Sequence, residues 1–328
     1  MTTSPKRRPV CLEWLTLGYT LLTSLLILIY RDELTDPRPL LTGRAFIVGT
    51  MVLLYAIYRL RPMGVTLFLR YLFPLTLLGY WYPDTYEFCQ LLPNLDHIFA
   101  SAEAALFGFQ PSITFSQALP QKVWSELFHM GYEAYYLLIA LTVLHPLAGR
   151  MRLFERTAFI VLGSFFLYYL IYLFLPVAGP QYYFEAVGFD AIEAGHFPAL
   201  GDYFRTHTAL APSPGPEGFF RSLVESTQAG GERPTAAFPS SHVGVSTVLL
   251  MLLWHDRRPL AYVALPFYVF LCGATVYIQA HYLIDVLGGW LSAVAFYYAC
   301  SAVYSRCFAA TNPFGLTPSA HSSTPHTL

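Results

Sequence analysis

Charge is scarce in this sequence: Asp, Glu, Lys and Arg make up 12% of its 328 residues, against about 25% in typical soluble domains. Hydrophobic residues make up 55%. They fall into blocks near the length of about 20 residues that a helix needs to cross a bilayer. The scarcity of charge therefore argues against a water-soluble protein. A net charge of −1 gives no indication of a nucleic-acid partner.

Cysteine is also sparse, and its spacing excludes two common kinds of site. No two of the five cysteines are separated by two residues, and most lie in or beside apolar stretches: Cys11, Cys89, Cys272, Cys300 and Cys307. Thiols in such stretches are usually small core residues. A zinc site and a disulfide framework are therefore not expected, and the sequence predicts no metal and no other cofactor.

The apolar blocks predict an all-α, polytopic transmembrane helix bundle. The sequence suggests eight spans, at residues 14–30, 44–60, 64–81, 127–148, 156–176, 240–255, 260–279 and 283–304. The first is read as a retained helix rather than a cleaved signal, because no small-residue cleavage site follows it. Residues 1–62 then form a basic N-terminal segment with two additional spans. Residues 63–308 form a six-span core, and residues 309–328, rich in Pro, Ser and Thr, form a disordered tail.

Short loops carry their positive charge on alternate sides, which predicts the topology. Placing both termini in the cytoplasm puts most loop arginines inside, as the positive-inside rule requires: Arg59, Arg61, Arg150, Arg152, Arg156, Arg257 and Arg258. Two long segments then lie outside. The first contains DHIFASAEAALFGFQ, read as an interfacial helix. The second covers residues 178–237, and is either a functional lid or a passive loop.

The segment ERPTAAFPSSH combines a helix start with a histidine. Pro239, Ser240 and Ser241 are typical of a helix N-terminus, where free N–H groups and the helix dipole favour an anion such as phosphate. His242 would lie on the first turn, and Arg233 could clamp the same anion. Alternatively, the serines are an ordinary N-cap beside an interfacial histidine.

A second polar pair, His281 and Asp285 in HYLID, lies at the predicted start of the last span. Residues four apart share one face of a helix, and a carboxylate on one ring nitrogen raises the basicity of the other. A structural His–Asp pair inside the bundle is the alternative. The predicted topology brings His242, His281 and Asp285 to the same outer face, where ionisable residues are candidates for function.

Together, FPSSH and HYLID resemble the second and third motifs of the type 2 phosphatidic acid phosphatase superfamily, over roughly the last six spans. The resemblance implies a metal-independent enzyme in which His281 forms a phosphohistidine, Asp285 orients it and His242 protonates the leaving alcohol. Ser240 and the backbone at Ser241 would hold phosphate oxygens. Phosphorylated membrane lipids, and possibly a lipid alcohol as acceptor, would be the partners.

The sequence departs from the family's motifs at its basic residues. Ala274 and Thr275 stand where the third motif has Ser-Arg, and Ser226 stands where the first motif has Lys before Arg233-Pro234. These losses resemble the inositol phosphorylceramide synthase-like branch of the superfamily. The resemblance leaves open whether water or a second lipid accepts the phosphoryl group, and hence whether the enzyme is a phosphatase or a headgroup phosphotransferase.

Further residues and functions stay open on the sequence. His129, Tyr132 and Tyr136 could line a headgroup pocket, or the tyrosines could belong to the interfacial aromatic belt. Two alternative functions are a lipid transporter, in which the His–Asp pair relays protons, and a non-catalytic scaffold. A vanadate haloperoxidase is a further alternative, but the many predicted membrane spans argue against it. Nothing in the sequence indicates the oligomeric state.

Overall fold

The computed structural model describes residues 9–147 and 150–308, which form a helical bundle without β-strands in those ranges. The first half contains α1 to α7: Cys11–Ile29, Pro37–Leu60, Gly64–Thr76, Leu78–Cys89, Asp96–Phe107, Pro111–Ala118 and Lys122–Leu144. The second half contains α8 to α14: Met151–Tyr172, Pro180–Val187, Phe189–Glu193, Phe219–Ala229, Ser241–Asp256, Arg258–Tyr277 and Leu283–Cys307. The predicted all-α, polytopic architecture is confirmed. The predicted disordered tail lies outside the described residues.

Six helices of the described ranges, rather than the eight predicted, are long and apolar enough to cross a membrane: α1, α2, α7 with its 3₁₀ extension, α8, α13 and α14. The third predicted span is divided between α3 and α4 at Leu77, three residues after Pro74, which lacks the N–H that a continuous helix needs. The sixth predicted span is α12, whose 16 residues extend only about 24 Å. Neither segment therefore forms one straight helix that is long enough to cross a membrane.

The short helix α12 lies at the centre of the C-terminal half, packed against α7, α8, α13 and α14. Its crossing with α14 depends on glycine, since small residues let two helix backbones approach closely. A Cβ atom on Gly289 would lie 2.8 Å from the Ser240 carbonyl oxygen, and one on Gly244 would collide with the Tyr168 hydroxyl. Backbone contact at this crossing brings the start of α12 against the first turns of α14.

We expect Gly289→Ala to destabilise the protein by about 1–3 kcal/mol, because the new methyl group pushes α14 away from the Ser240 backbone. Thermal unfolding in detergent measures this effect. The matched control is Gly49→Ala in α2, where no atom lies within 4 Å of the added Cβ. Equal melting temperatures for the two variants would contradict the close crossing.

Two buried ion pairs attach the N-terminal helices to the rest of the bundle. Arg70 in α3 donates two hydrogen bonds of 2.6 Å to the Glu13 carboxylate in α1. Arg44 in α2 donates bonds of 3.1 and 2.6 Å to Asp84 in α4. Bidentate pairs of this kind fix geometry as well as compensating charge. Arg70, an unexpected charge within a predicted span, is thus explained by its partner on α1.

The long segment 178–237 is folded rather than a featureless loop. It contains α9, α10, a 3₁₀ turn at Tyr203–Arg205 and α11. Buried side chains from it, including Tyr182, Tyr183, Phe184 and Val224, pack into the bundle. Its last helix, α11, lies along α7. The segment therefore forms part of the wall around the starts of α12 and α14.

Candidate active site

The two motif histidines come together although they are 39 positions apart in the chain. His242 is on the first turn of α12, and His281 is in the short connection between α13 and α14. Their ring centroids are 5.7 Å apart, with the rings nearly edge to face. His281 is 4% exposed and His242 is partly buried. The structure thus brings the predicted pair to one place.

A backbone carbonyl selects the tautomer of His281. Its Nδ1 lies 2.8 Å from the Ala237 carbonyl oxygen, and because a carbonyl only accepts, Nδ1 carries the hydrogen. The Nε2 atom then keeps its lone pair. The His281 backbone N–H also donates to the Thr275 carbonyl at 2.9 Å. The ring is therefore held from both sides with Nε2 free to act as nucleophile or base.

Asp285 does not pair with His281 in the way that the spacing predicted. The prediction placed both residues on one helix, but α14 begins only at Leu283, so His281 precedes it. The Asp285 carboxylate accepts the Tyr282 backbone N–H at 2.8 Å, and its Oδ2 lies 3.6 Å from His281 Nδ1. That distance is too long for a good hydrogen bond. Asp285 therefore lies beside the ring without a good hydrogen bond to it, while Ala237 provides the direct hydrogen bond.

Burial lowers the pKa of His281 to about 4, although the Ala237 carbonyl and the nearby Glu232 carboxylate act in the opposite direction. A histidine with a lowered pKa is neutral at every pH above that value. We therefore expect any fall in kcat/KM that is due to protonation of His281 to appear only near pH 4. The acid limb of a pH–rate profile tests this. An acid limb near pH 6.5, the ordinary histidine value, would contradict it.

The start of α12 is tied to the start of α14. The Ser240 backbone N–H donates to the Asp285 carbonyl at 3.0 Å, and the Ser240 hydroxyl accepts the Val243 N–H at 3.3 Å as the N-cap of α12. Ser241 is buried and begins the helix. The capping role considered for the serines is therefore present, and the helix N-terminus points its backbone donors to the region of His242.

Arg233 is beside the site but differs from a buried clamp. Its side chain is exposed, and its guanidinium donates to the Glu232 carbonyl oxygen at 2.9 Å. Thr275, at the position of the family's arginine, is fully buried and donates its hydroxyl to the Cys272 carbonyl. No cation thus occupies the Thr275 position, and Arg233 would have to reorient to reach a phosphate.

Tyrosines, rather than charged groups, surround His242. The rings of Tyr132 and Tyr135 each lie 4.6 Å from its ring, centroid to centroid. Of the other residues predicted to form a headgroup pocket, His129 is buried against Tyr277 and donates Nδ1–H to the Ser125 carbonyl at 2.7 Å. Tyr136 is 52% exposed. Among these three residues, the described ring contacts bring only Tyr132 to a motif histidine.

Two buried acidic side chains on α5 accept hydrogen bonds from residues next to the site. The sequence did not point to them. Glu103 accepts the Leu283 N–H at the first residue of α14. Burial raises its pKa to about 8, so it is largely uncharged at neutral pH. Asp96 accepts the N–H groups of Ala178 and Gly179 at 2.7 and 2.8 Å, and the Tyr282 hydroxyl at 3.0 Å. Their signal in the sequence was two acids seven residues apart on one face of the predicted interfacial helix.

An apolar groove of about 380 Å³ lies beside the first turns of α14. Val276, Leu283 and Val286 line it next to the HYLID segment, together with residues of α6 such as Phe115. Because its walls are almost entirely hydrocarbon, the groove suits an acyl chain next to the polar site. Within residues 9–147 and 150–308, no group of three or more His, Cys, Asp or Glu is placed to hold a metal ion. Metal independence itself stays a prediction.

The fold and the site together define a class of membrane protein. It is a polytopic helical bundle with two neighbouring histidines and an adjacent aspartate. A family model described as the PAP2 superfamily matches residues 97–299, more than half of the chain. The chain therefore belongs to the PAP2 superfamily, and membership supports a phosphatase-type enzyme of phosphorylated lipids. No curated protein and no solved structure gives a significant match. The match begins at α5, the helix that carries Glu103.

Proposed function

We propose that the protein is a membrane-embedded lipid enzyme that breaks a phosphate ester through a phosphohistidine on His281. The observation that carries the proposal is the hydrogen bond from His281 Nδ1 to the Ala237 carbonyl, because it leaves Nε2 as a lone-pair donor in a site that also contains His242. In the first step, Nε2 attacks phosphorus while His242 donates a proton to the departing alcohol. In the second, His242 takes a proton from the acceptor, which displaces His281.

Phosphate binding in this proposal depends on the α12 N-terminus. Backbone N–H groups at Ser241 and the following residues, with the positive end of the helix dipole, stabilise the charge that develops on the phosphoryl oxygens. The Ser240 hydroxyl, now the N-cap, would contribute by rotating toward the oxygens. Arg233 would add a charge-assisted hydrogen bond after reorienting. Asp285, 3.6 Å from the His281 ring, stabilises the positive charge that the ring acquires in the phosphohistidine.

Headgroup transfer is the proposed reaction within the superfamily, as in its inositol phosphorylceramide synthase-like branch. Phosphate monoesters carry nearly two negative charges at neutral pH and need compensating cations. This site has Ala274, Thr275 and Ser226 at the motif positions for basic and phosphate-binding residues. A phosphodiester with one charge suits such a site better. The folded segment 178–237, which forms part of the wall around the site, would then hold the headgroup and exclude water.

The proposed placement in the membrane follows from the loop arginines. Both termini face the cytoplasm, and the site lies at the outer face, which is extracellular, periplasmic or lumenal according to the membrane. Residues 63–308 form the catalytic core, and α1 and α2 are additions fastened by the two buried ion pairs. The apolar groove beside α14 admits a lipid chain from the side of the bilayer.

Product analysis tests the proposed function. Detergent-purified protein is incubated, with a chelator present, with lipid phosphates and phosphodiesters, with and without lipid alcohols as acceptors. Mass spectrometry follows new lipids, and a colorimetric assay follows free phosphate. A new headgroup-bearing lipid that needs the acceptor supports a transferase, and free phosphate or a free phosphorylated headgroup supports a hydrolase. The absence of any turnover would refute the catalytic proposal in favour of a transporter or a scaffold.

A further inference from the structure

A carboxylate that the mechanism above does not use lies at the wall of the site. Glu232 follows α11, and its backbone N–H donates to the Gln228 carbonyl at 2.8 Å. The Tyr82 hydroxyl, from α4, donates to its Oε1 at 2.6 Å. A bond this short is typical of a hydroxyl that donates to an ionised carboxylate. Glu232 is thus held in place by a residue 150 positions away in the chain.

Glu232 is close to His281. Its carboxylate and the His281 ring are near enough that each shifts the pKa of the other. Tyr132, whose ring stacks on His242 at 4.6 Å, also interacts electrostatically with Glu232. Burial raises the pKa of Glu232 above its ordinary value, although the Tyr82 hydrogen bond and the charge of Arg233 act in the opposite direction. A carboxyl group held by Tyr82 is therefore part of the surroundings of His281.

The groups around the bound phosphate would not compensate the two negative charges of a phosphate monoester. Thr275 and Ser226 leave two motif positions without a cation, and Arg233 is exposed, with its guanidinium on the Glu232 backbone. Coulomb energy is proportional to the product of the charges. A phosphate with two negative charges is consequently repelled by Glu232 about twice as strongly as a phosphate with one.

We propose that Glu232 is a specificity-determining residue that selects phosphodiester lipids and rejects phosphate monoester lipids. The proposal rests on the proposed function, since it concerns the same site and the same bond cleavage. Glu232 is not required to touch the reacting atoms. It acts through its charge, which Tyr82 fixes at the site, so the property that matters is charge rather than shape.

The experiment compares two lipids that differ by one methyl group, phosphatidic acid and its methyl ester, in detergent at pH 7.5. Wild-type protein should have the higher kcat/KM for the methyl ester. Glu232→Gln, which keeps the shape and removes the charge, should raise kcat/KM for phosphatidic acid relative to the ester by about tenfold, equivalent to about 1.4 kcal/mol. Glu232→Asp, which keeps the charge, should retain most of the wild-type preference.

The matched control is Glu225→Gln on α11, the helix that precedes Glu232, where the carboxylate pairs with Arg221. Its ratio of the two kcat/KM values should equal that of wild type. If Glu232→Gln does not fold, Glu232→Ser provides the same neutralisation. An unchanged ratio in the neutral variants, or a wild-type preference for phosphatidic acid, would overturn the role of Glu232. No turnover of either lipid by wild-type protein would refute the proposed function instead.

Discussion

Replacing His281 by Asn is expected to reduce turnover by about 10³-fold or more, because the nucleophile of a two-step mechanism cannot be supplied by the surrounding groups. Asn can still donate a side-chain N–H to the Ala237 carbonyl, as His281 does at 2.8 Å. It lacks any atom equivalent to Nε2. The variant should therefore fold with a melting temperature near that of wild type and lose only the chemistry, which initial rates on the best substrate would measure.

The matched control for this change is His145→Asn. His145 also donates Nδ1–H to a backbone carbonyl, that of Thr142 at 2.9 Å, but it follows the end of α7, ten residues after Tyr135. We expect its turnover to be within about twofold of wild type, as for substitutions away from a reacting group. Equal rates in the two variants would exclude His281 as the nucleophile.

Arg44→Met is expected to destabilise the folded state by about 3–5 kcal/mol, because it leaves the Asp84 carboxylate buried without its partner. The two side chains are only 2% and 3% exposed, so water cannot replace the lost hydrogen bonds. The double variant Arg44→Met/Asp84→Leu removes both charges and should recover most of the stability. Unfolding by denaturant in detergent measures each free energy of unfolding.

Arg38→Met is the control for the ion pair, since Arg38 begins the same helix with its side chain exposed. Its effect should be within about 0.5 kcal/mol. A double variant as unstable as Arg44→Met alone would mean that the pair is not what joins α2 to α4. Turnover need not change in proportion, since both residues are remote from the histidines in sequence and share no described contact with them.

The bundle and the histidine pair could be predicted because their signals are local in the sequence. Apolar blocks and a near absence of charge predict membrane helices, and Pro239-Ser240-Ser241 predicts the helix start that α12 displays. Two segments with histidines at the same predicted membrane level led to His242 and His281 together. Family membership, predicted from FPSSH and HYLID, is confirmed over residues 97–299, whereas the proposed branch stays a prediction.

Tertiary contacts determine what the sequence could not predict. The partner of His281 Nδ1 is the backbone of Ala237, 44 residues away, and a carbonyl group has no signal in a sequence. The sequence does not indicate that the fold places the Leu283 N–H on Glu103. Glu232 was one acid among seven in a long loop. The roles of these residues depend on contacts with distant segments of the chain. The spacing of residues within one helix does not predict such contacts.

The central claim, a phosphohistidine on His281, is tested most directly by trapping the adduct. Protein is mixed with a phosphodiester lipid substrate, quenched in alkali, where phosphohistidine survives, and digested for mass spectrometry. The account predicts that the peptide containing His281 gains a phosphoryl group, bearing either the headgroup or the lipid moiety, during turnover, and that His281→Asn gains none. Steady turnover with no adduct on this peptide, or an adduct on a different residue, would contradict the account.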